Sequence, residues 1–165
     1  MAFEHNPNLP AVTDVIPHRP PSLWLDGVID CTPGESATGF WTPKPEDYAG
    51  HFEDEELLMA VKQVESAAQL GAYALMIENP GKILATFAGI REFNFSAPVF
   101  PGNTMHLAVS DLKKDGREFS GVATAMVDEE ETASGVIVGK LMPMRVGMRA
   151  LAMVREAREL SQASE

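Results

Sequence analysis

Two residues of this chain have the types needed for proton transfer beside a carbonyl. His51 lies in the string Tyr48-Ala49-Gly50-His51-Phe52, just ahead of a long apolar segment. Glu65 follows fourteen positions later inside that segment, with Gln69 one helical turn beyond it. A neutral imidazole, with an unperturbed pKa near ~6.5, can accept a proton. A carboxyl group moved into apolar surroundings holds its proton toward neutral pH. Acid and base together suit the elimination or addition of water next to a carbonyl. The same residues also have a plainer reading. A polar stripe on an amphipathic helix is often just the face left in water, and a loop histidine is often structural. Pattern alone leaves both readings open.

Other chemistries lack their residues. There is no GxGxxG, no Walker P-loop and no GxSxG elbow. His5, His18, His51 and His106 lack the close spacing of a zinc motif, so neither a metal nor any other cofactor is expected. Cys31, the single cysteine, sits between a strand and a turn with nothing nearby to activate it as a nucleophile.

The elements that must position His51 and Glu65 follow from hydrophobic periodicity. Residues 1–22 carry five prolines and read as an irregular surface segment. Leu23–Ile29 and Ser36–Trp41 read as strands around the turn Thr32-Pro33-Gly34. Glu56–Glu78 lacks proline, is rich in Ala, Leu and Met, and ends at Asn79-Pro80-Gly81, which predicts one long helix. Lys62, Glu65, Ser66, Gln69 and Tyr73 fall on one stripe of it. Most of the remaining circumference is apolar, so other elements must wrap it. Ile83–Ile90, Thr104–Leu112, Arg117–Val127 and Thr132–Met142 read as strands, the last three joined by hairpins. Gly147 then separates the last strand from a helical tail, Met148–Leu160, that carries Arg149, Arg155 and Arg158. The expectation is one α+β domain over residues 1–165, an antiparallel sheet curled around a central helix.

Composition narrows the partners. The chain has 165 residues, with 13 Lys and Arg against 24 Asp and Glu, a formal charge of −11. That balance argues against nucleic acid and against docking on an anionic membrane. Lys62 and Glu65 inside the long apolar segment argue against a transmembrane span. One cysteine and the lack of a signal-peptide pattern at the start lead to a cytoplasmic expectation.

Several short strings, in order, resemble one known family. Ile16-Pro17-His18-Arg19-Pro20-Pro21 with Leu23-Trp24-Leu25-Asp26 looks like the opening of the β-hydroxyacyl-acyl carrier protein dehydratases, enzymes of the hotdog fold. Gly50-His51-Phe52, the glutamate fourteen positions on, and Glu65-Ser66-Ala67-Ala68-Gln69 continue the match. Phe87-Ala88-Gly89-Ile90 and Phe95-Ser96-Ala97-Pro98-Val99-Phe100-Pro101-Gly102 resemble two later signatures. The resemblance implies a dimeric hotdog fold with the active site shared across the dimer. It further implies a substrate carried on acyl carrier protein or CoA as a 3-hydroxyacyl thioester, dehydrated to the trans-2-enoyl product. His51 would take the α-proton and Glu65 would protonate the departing hydroxyl. The backbone N–H of Ala60, at the position where the family has glycine, would hold the thioester oxygen, and Gln69 would orient Glu65. In place of the family's Pro- and Gly-rich stretch stands Glu53-Asp54-Glu55-Glu56. That departure suggests a secondary acyl-chain pathway beside the fatty-acid cycle itself. The alternatives are a hotdog acyl thioesterase, which would activate water against the thioester carbonyl, and a non-catalytic acyl-binding subunit.

Overall fold

Alternation of apolar residues builds the sheet seen in the computed structural model, which describes residues 3–52 and 54–147. Among the described residues six strands form one antiparallel sheet: β1 (Gly27–Thr32), β2 (Ser36–Trp41), β3 (Ile83–Phe95), β4 (Met105–Asp115), β5 (Glu118–Val127) and β6 (Glu130–Pro143). Their order is β1-β2-β4-β5-β6-β3. Ala37 and Trp41 of β2, Met105, Leu107 and Val109 of β4, Ala123 and Ala125 of β5 and Ile137 of β6 are buried at alternating positions. Off the sheet lie the short helices α1 (Val12–Val15) and α2 (Pro45–Tyr48) and the long α3 (Ala60–Met76). Twelve of the seventeen α3 residues are buried, so the helix is covered on nearly every side. Small residues allow the close approach. A Cβ on Gly71 would lie 3.1 Å from Ile137 Cδ1 of the sheet.

Several sequence expectations shift. The first strand is expected over Leu23–Ile29 but forms at Gly27–Thr32, because Trp24 gives its backbone N–H to Gln69 Oε1 of α3 (2.9 Å) and has no strand partner. The helix expected from Glu56 begins at Ala60, since Met59 at ψ 124° is turned out of helical geometry, and the Leu58 N–H ahead of it pairs with the Val99 carbonyl at 3.0 Å. It ends at Met76, ahead of Pro80 and Gly81. The described part of the opening segment, residues 3–22, does not simply run over the surface. Within them α1 buries Val12 and Val15, and the Tyr73 hydroxyl donates to Pro10 O at 2.7 Å. The segment is a strap across α3, and it takes up Gln69 and Tyr73 of the stripe that would otherwise face water. Ser66, Gln69 and Tyr73 are each no more than 1% exposed. β3 extends past Ile90 to Phe95 through two register shifts against β6. The β5–β6 hairpin turns on Asp128 and Glu129, both at positive φ. The expected tail helix Met148–Leu160 lies outside the described residues. Among the described residues no helix is long and apolar enough to cross a membrane.

Gly139 in β6 shapes one end of the core. Any side chain there would meet the Phe119 ring and the Thr86 carbonyl, and the latter is backbone that cannot swing away. Gly139→Ala is therefore expected to destabilise the fold by about 1–3 kcal/mol, the usual penalty for overpacking. Urea unfolding should show a lower midpoint at an unchanged slope.

Candidate active site

The His51 loop is held by backbone groups. Pro45 opens α2, and Asp47 Oδ2 accepts the Lys44 N–H at 2.9 Å to cap it. The Tyr48 hydroxyl donates to Phe100 O at 2.9 Å. Burial first, then Asp47 and Glu56, pushes that hydroxyl up to about 12, so it stays a donor throughout the physiological range. Gly50 takes φ +79°, a left-handed conformation glycine adopts without strain, and reverses the chain into His51. The ring then stacks on Phe52 with centroids 4.2 Å apart. His51 Nδ1 lies 2.9 Å from Leu57 O. A carbonyl can only accept, so Nδ1 carries the proton of the neutral ring and Nε2 is left with its lone pair free. That is the tautomer a base requires.

At the start of α3, Met59 offers no side-chain cap. The first N–H groups of a helix have no intrahelical partner, so the Ala60 N–H is available at the positive end of the helix dipole. Lys62 does not extend into water as one of a solvated stripe. Its Nζ donates to Asp47 O at 2.6 Å, pairs with Asp47 Oδ1 at 3.3 Å and lies 5.2 Å from the Trp24 ring centroid. The side chain thus ties α2, and with it the His51 loop, to α3.

Glu65 is two-thirds buried at the junction of two depressions. One is a narrow cleft of about 50 Å³ running toward Ala72, Phe119 and Ile137. The other is an open groove of about 490 Å³ lined by Trp24, Val61, Val64, Phe87 and Ile90. Gln69 Nε2 donates to Glu65 Oε1 at 3.1 Å and to Ser22 O at 2.9 Å, while Gln69 Oε1 accepts the Trp24 N–H. The amide orientation is fully determined, because its oxygen is taken by a donor.

The structure adds a residue to which sequence reasoning gave no role. His18 Nε2 lies 3.5 Å from Glu65 Oε1. Burial holds the imidazole below its ordinary pKa, the Glu65 carboxylate pulls the other way, and the Arg19 guanidinium adds to the lowering. His18 stands in the opening string of the resemblance, and nothing in local periodicity could relate it to α3. Glu65, Gln69 and His18 therefore come together, whereas His51 and Ala60 line neither depression. Cys31 is far from activation: burial, then Asp30, pushes its thiol up to about 11. Among the described residues no cluster of His, Cys, Asp and Glu could hold a metal ion.

Comparison with known proteins gives a consistent picture. The ApeI-like family, described as ApeI dehydratase, matches residues 39–136. The chain is 40% identical over 124 residues to the 3-hydroxyacyl-[acyl-carrier-protein] dehydratase FabZ of Clostridium novyi (strain NT), covering 73% of this chain and 87% of that protein. It is 37% identical over 123 residues to FabZ of Bacillus subtilis (strain 168), covering 72% and 86%. Among solved structures, the dehydratase heterocomplex ApeI:P from Xenorhabdus doucetiae superposes with a TM-score of 0.68 at 14% identity, covering 87% of this chain and 99% of that one. The fluoroacetyl-CoA thioesterase FlK superposes at 0.63 and 18% identity, covering 76% and 96%. At such identities the two structural likenesses speak for the fold alone.

Proposed function

The chain belongs to the hotdog-fold 3-hydroxyacyl-acyl carrier protein dehydratase family, and we propose that it removes water from a 3-hydroxyacyl thioester to give the trans-2-enoyl thioester. One observation carries the assignment of roles: an imidazole with a free Nε2 and a carboxyl group whose Oε1 is tethered at the mouth of an apolar cleft. His51 Nε2 takes the proton from C2. The electron pair moves toward the thioester oxygen, where the Ala60 N–H and the α3 dipole favour the developing charge. The C3–O bond then breaks as Glu65 protonates the hydroxyl, water leaves, and the C2=C3 double bond forms. His51 ends protonated and Glu65 ionised; proton exchange with water resets both.

We read the working unit as a homodimer. Among the described residues β3 is an edge strand paired only with β6, and Phe87 and Ile90 on it are 48% and 47% exposed beside Val61 at 60%. An open edge that exposes large apolar side chains invites pairing with a second copy. Such pairing would roof the groove at Glu65 and bring His51 of the second copy to it. The relatives named FabZ favour acyl carrier protein as the carrier, in fatty-acid or related acyl-chain synthesis in the cytoplasm. The test is a panel of 3-hydroxyacyl and 2-enoyl thioesters on carrier protein and on CoA, with enoyl absorbance followed in both directions. Interconversion is expected on carrier-bound substrates. Release of free thiol in its place would establish a thioesterase, and no turnover at any chain length would leave only acyl binding.

A further inference from the structure

We propose that His18 is a positioning residue for Glu65: together with Gln69 it holds Oε1, so that Oε2 is the oxygen that carries the proton delivered to the leaving hydroxyl. The proposal rests on Glu65 being the acid. Its basis is the geometry of one oxygen. Glu65 Oε1 receives Gln69 Nε2 at 3.1 Å and has His18 Nε2 at 3.5 Å, whereas Oε2 has no partner among the described residues.

The loop is built to hold His18 there. Arg19 Nη1 donates to Ile16 O at 2.9 Å and to His18 O at 2.6 Å, and its Nη2 donates to Thr13 O at 2.8 Å. Ile16 is buried beneath, and Ser22 O receives the Gln69 amide. The strap is thus fastened on both sides of His18, and the imidazole is set by its backbone. Among the described residues His18 Nδ1 is buried with no hydrogen-bond partner, and the polar side chain the ring addresses is Glu65. A buried orphan acceptor is tolerated better than a buried orphan N–H. That places the proton on Nε2, facing the carboxyl group. The charged groups facing the ring are Glu65 from α3 and Arg19 from its own loop.

The consequence for the reaction is differential. A donor at Oε1 gains strength as Glu65 passes from acid to carboxylate, because hydrogen bonds to an ionised acceptor are shorter and stronger. The His18 contact therefore tightens while the C3–O bond breaks. An interaction that strengthens only toward the transition state raises kcat and leaves ground-state binding alone.

The experiment uses the full-length protein with carrier-bound substrate. His18→Phe keeps the ring volume and removes the donor; His18→Gln replaces the ring with an amide N–H of similar reach. His18→Phe is expected to lower kcat roughly tenfold to a hundredfold with KM within about twofold, the scale of a displaced catalytic group. His18→Gln is expected to recover most of that loss. In a Glu65→Gln background, His18→Phe should cost no more than about twofold further, since both residues act through the same proton. Should His18→Phe fail to fold, His18→Asn, whose shorter amide falls short of Glu65, replaces it in the comparison. A His18→Phe enzyme at the wild-type kcat, a Gln variant no better than Phe, or a full additional loss in the Glu65→Gln background would each overturn the positioning role. Wild-type turnover by Glu65→Gln alone would instead overturn Glu65 as the acid, and this proposal with it.

Discussion

Homogeneous His51→Ala and Glu65→Ala proteins are expected to dehydrate 3-hydroxyacyl thioesters about 10²–10⁴-fold more slowly than the wild type, the contribution of a positioned general acid or base. Neither truncation should unfold the chain. His51 sits in a partly exposed loop and Glu65 keeps a third of its side chain in solvent. Mixing the two dead proteins distinguishes where the groups come from. Neither depression at Glu65 contains His51 of the same chain, which is the arrangement a shared site demands. Unfolded together and refolded, the variants should form mixed dimers in which one site carries both lesions and the other none. Activity should then return toward a quarter of the wild-type value, about the share set by random pairing and one intact site in each mixed dimer. Mixed dimers that stay as inactive as their parents would show that each chain completes its own site.

A charge on the β3 edge should have a comparably large effect by a different route. Ile90 is 47% exposed, so Ile90→Asp need not disturb the folded chain, yet it would place a carboxylate in the middle of the apolar edge. An unpaired charge desolvated at the centre of an interface opposes association strongly. The expected result is a folded monomer by sedimentation, with activity down by about 10² or more, because in the proposed shared site the loss of a second copy would remove one of the two proton-transfer groups. Far-UV circular dichroism should match the wild type. A monomer with full activity would sink the shared site, and a persistent, fully active dimer would move the interface away from β3. The two experiments are independent: the first tests which groups meet, the second tests which surface brings them together.

Much of the scaffold was readable from side-chain pattern alone. β2 appears over Ser36–Trp41 as the alternation predicts, and the hairpin expected after Val127 forms, with Asp128 and Glu129 as its turn between β5 and β6. The spacing of Glu65 and Gln69, one helical turn apart, placed them on one face of α3, where an amide-to-carboxylate contact forms. These features are local, and a period of two or of 3.6 residues is written directly into side-chain identity.

What the pattern could not show is which surface covers that face. The polar stripe of α3 looks solvent-exposed by periodicity, yet residues 10–24 take up its Gln69 and Tyr73 and leave Glu65 a third exposed. The contacts that fasten the strap run to main-chain groups: Tyr73 to Pro10 O, and Gln69 to Ser22 O and Trp24 N. The tautomer of His51 is likewise set by a carbonyl, that of Leu57. Every residue except proline carries the same N–H, and every residue the same C=O, so such partners leave no mark in the amino-acid code. The approach of His18 to Glu65 has the same origin. It joins two segments far apart in the chain and arises only when Arg19 gathers the carbonyls of its loop and the strap closes over α3. Sequence alone supplied the candidate acid, the candidate base and the helix that carries one of them. Tertiary structure decided which atoms of those groups are free to react, because that depends on long-range backbone partners that no local pattern encodes.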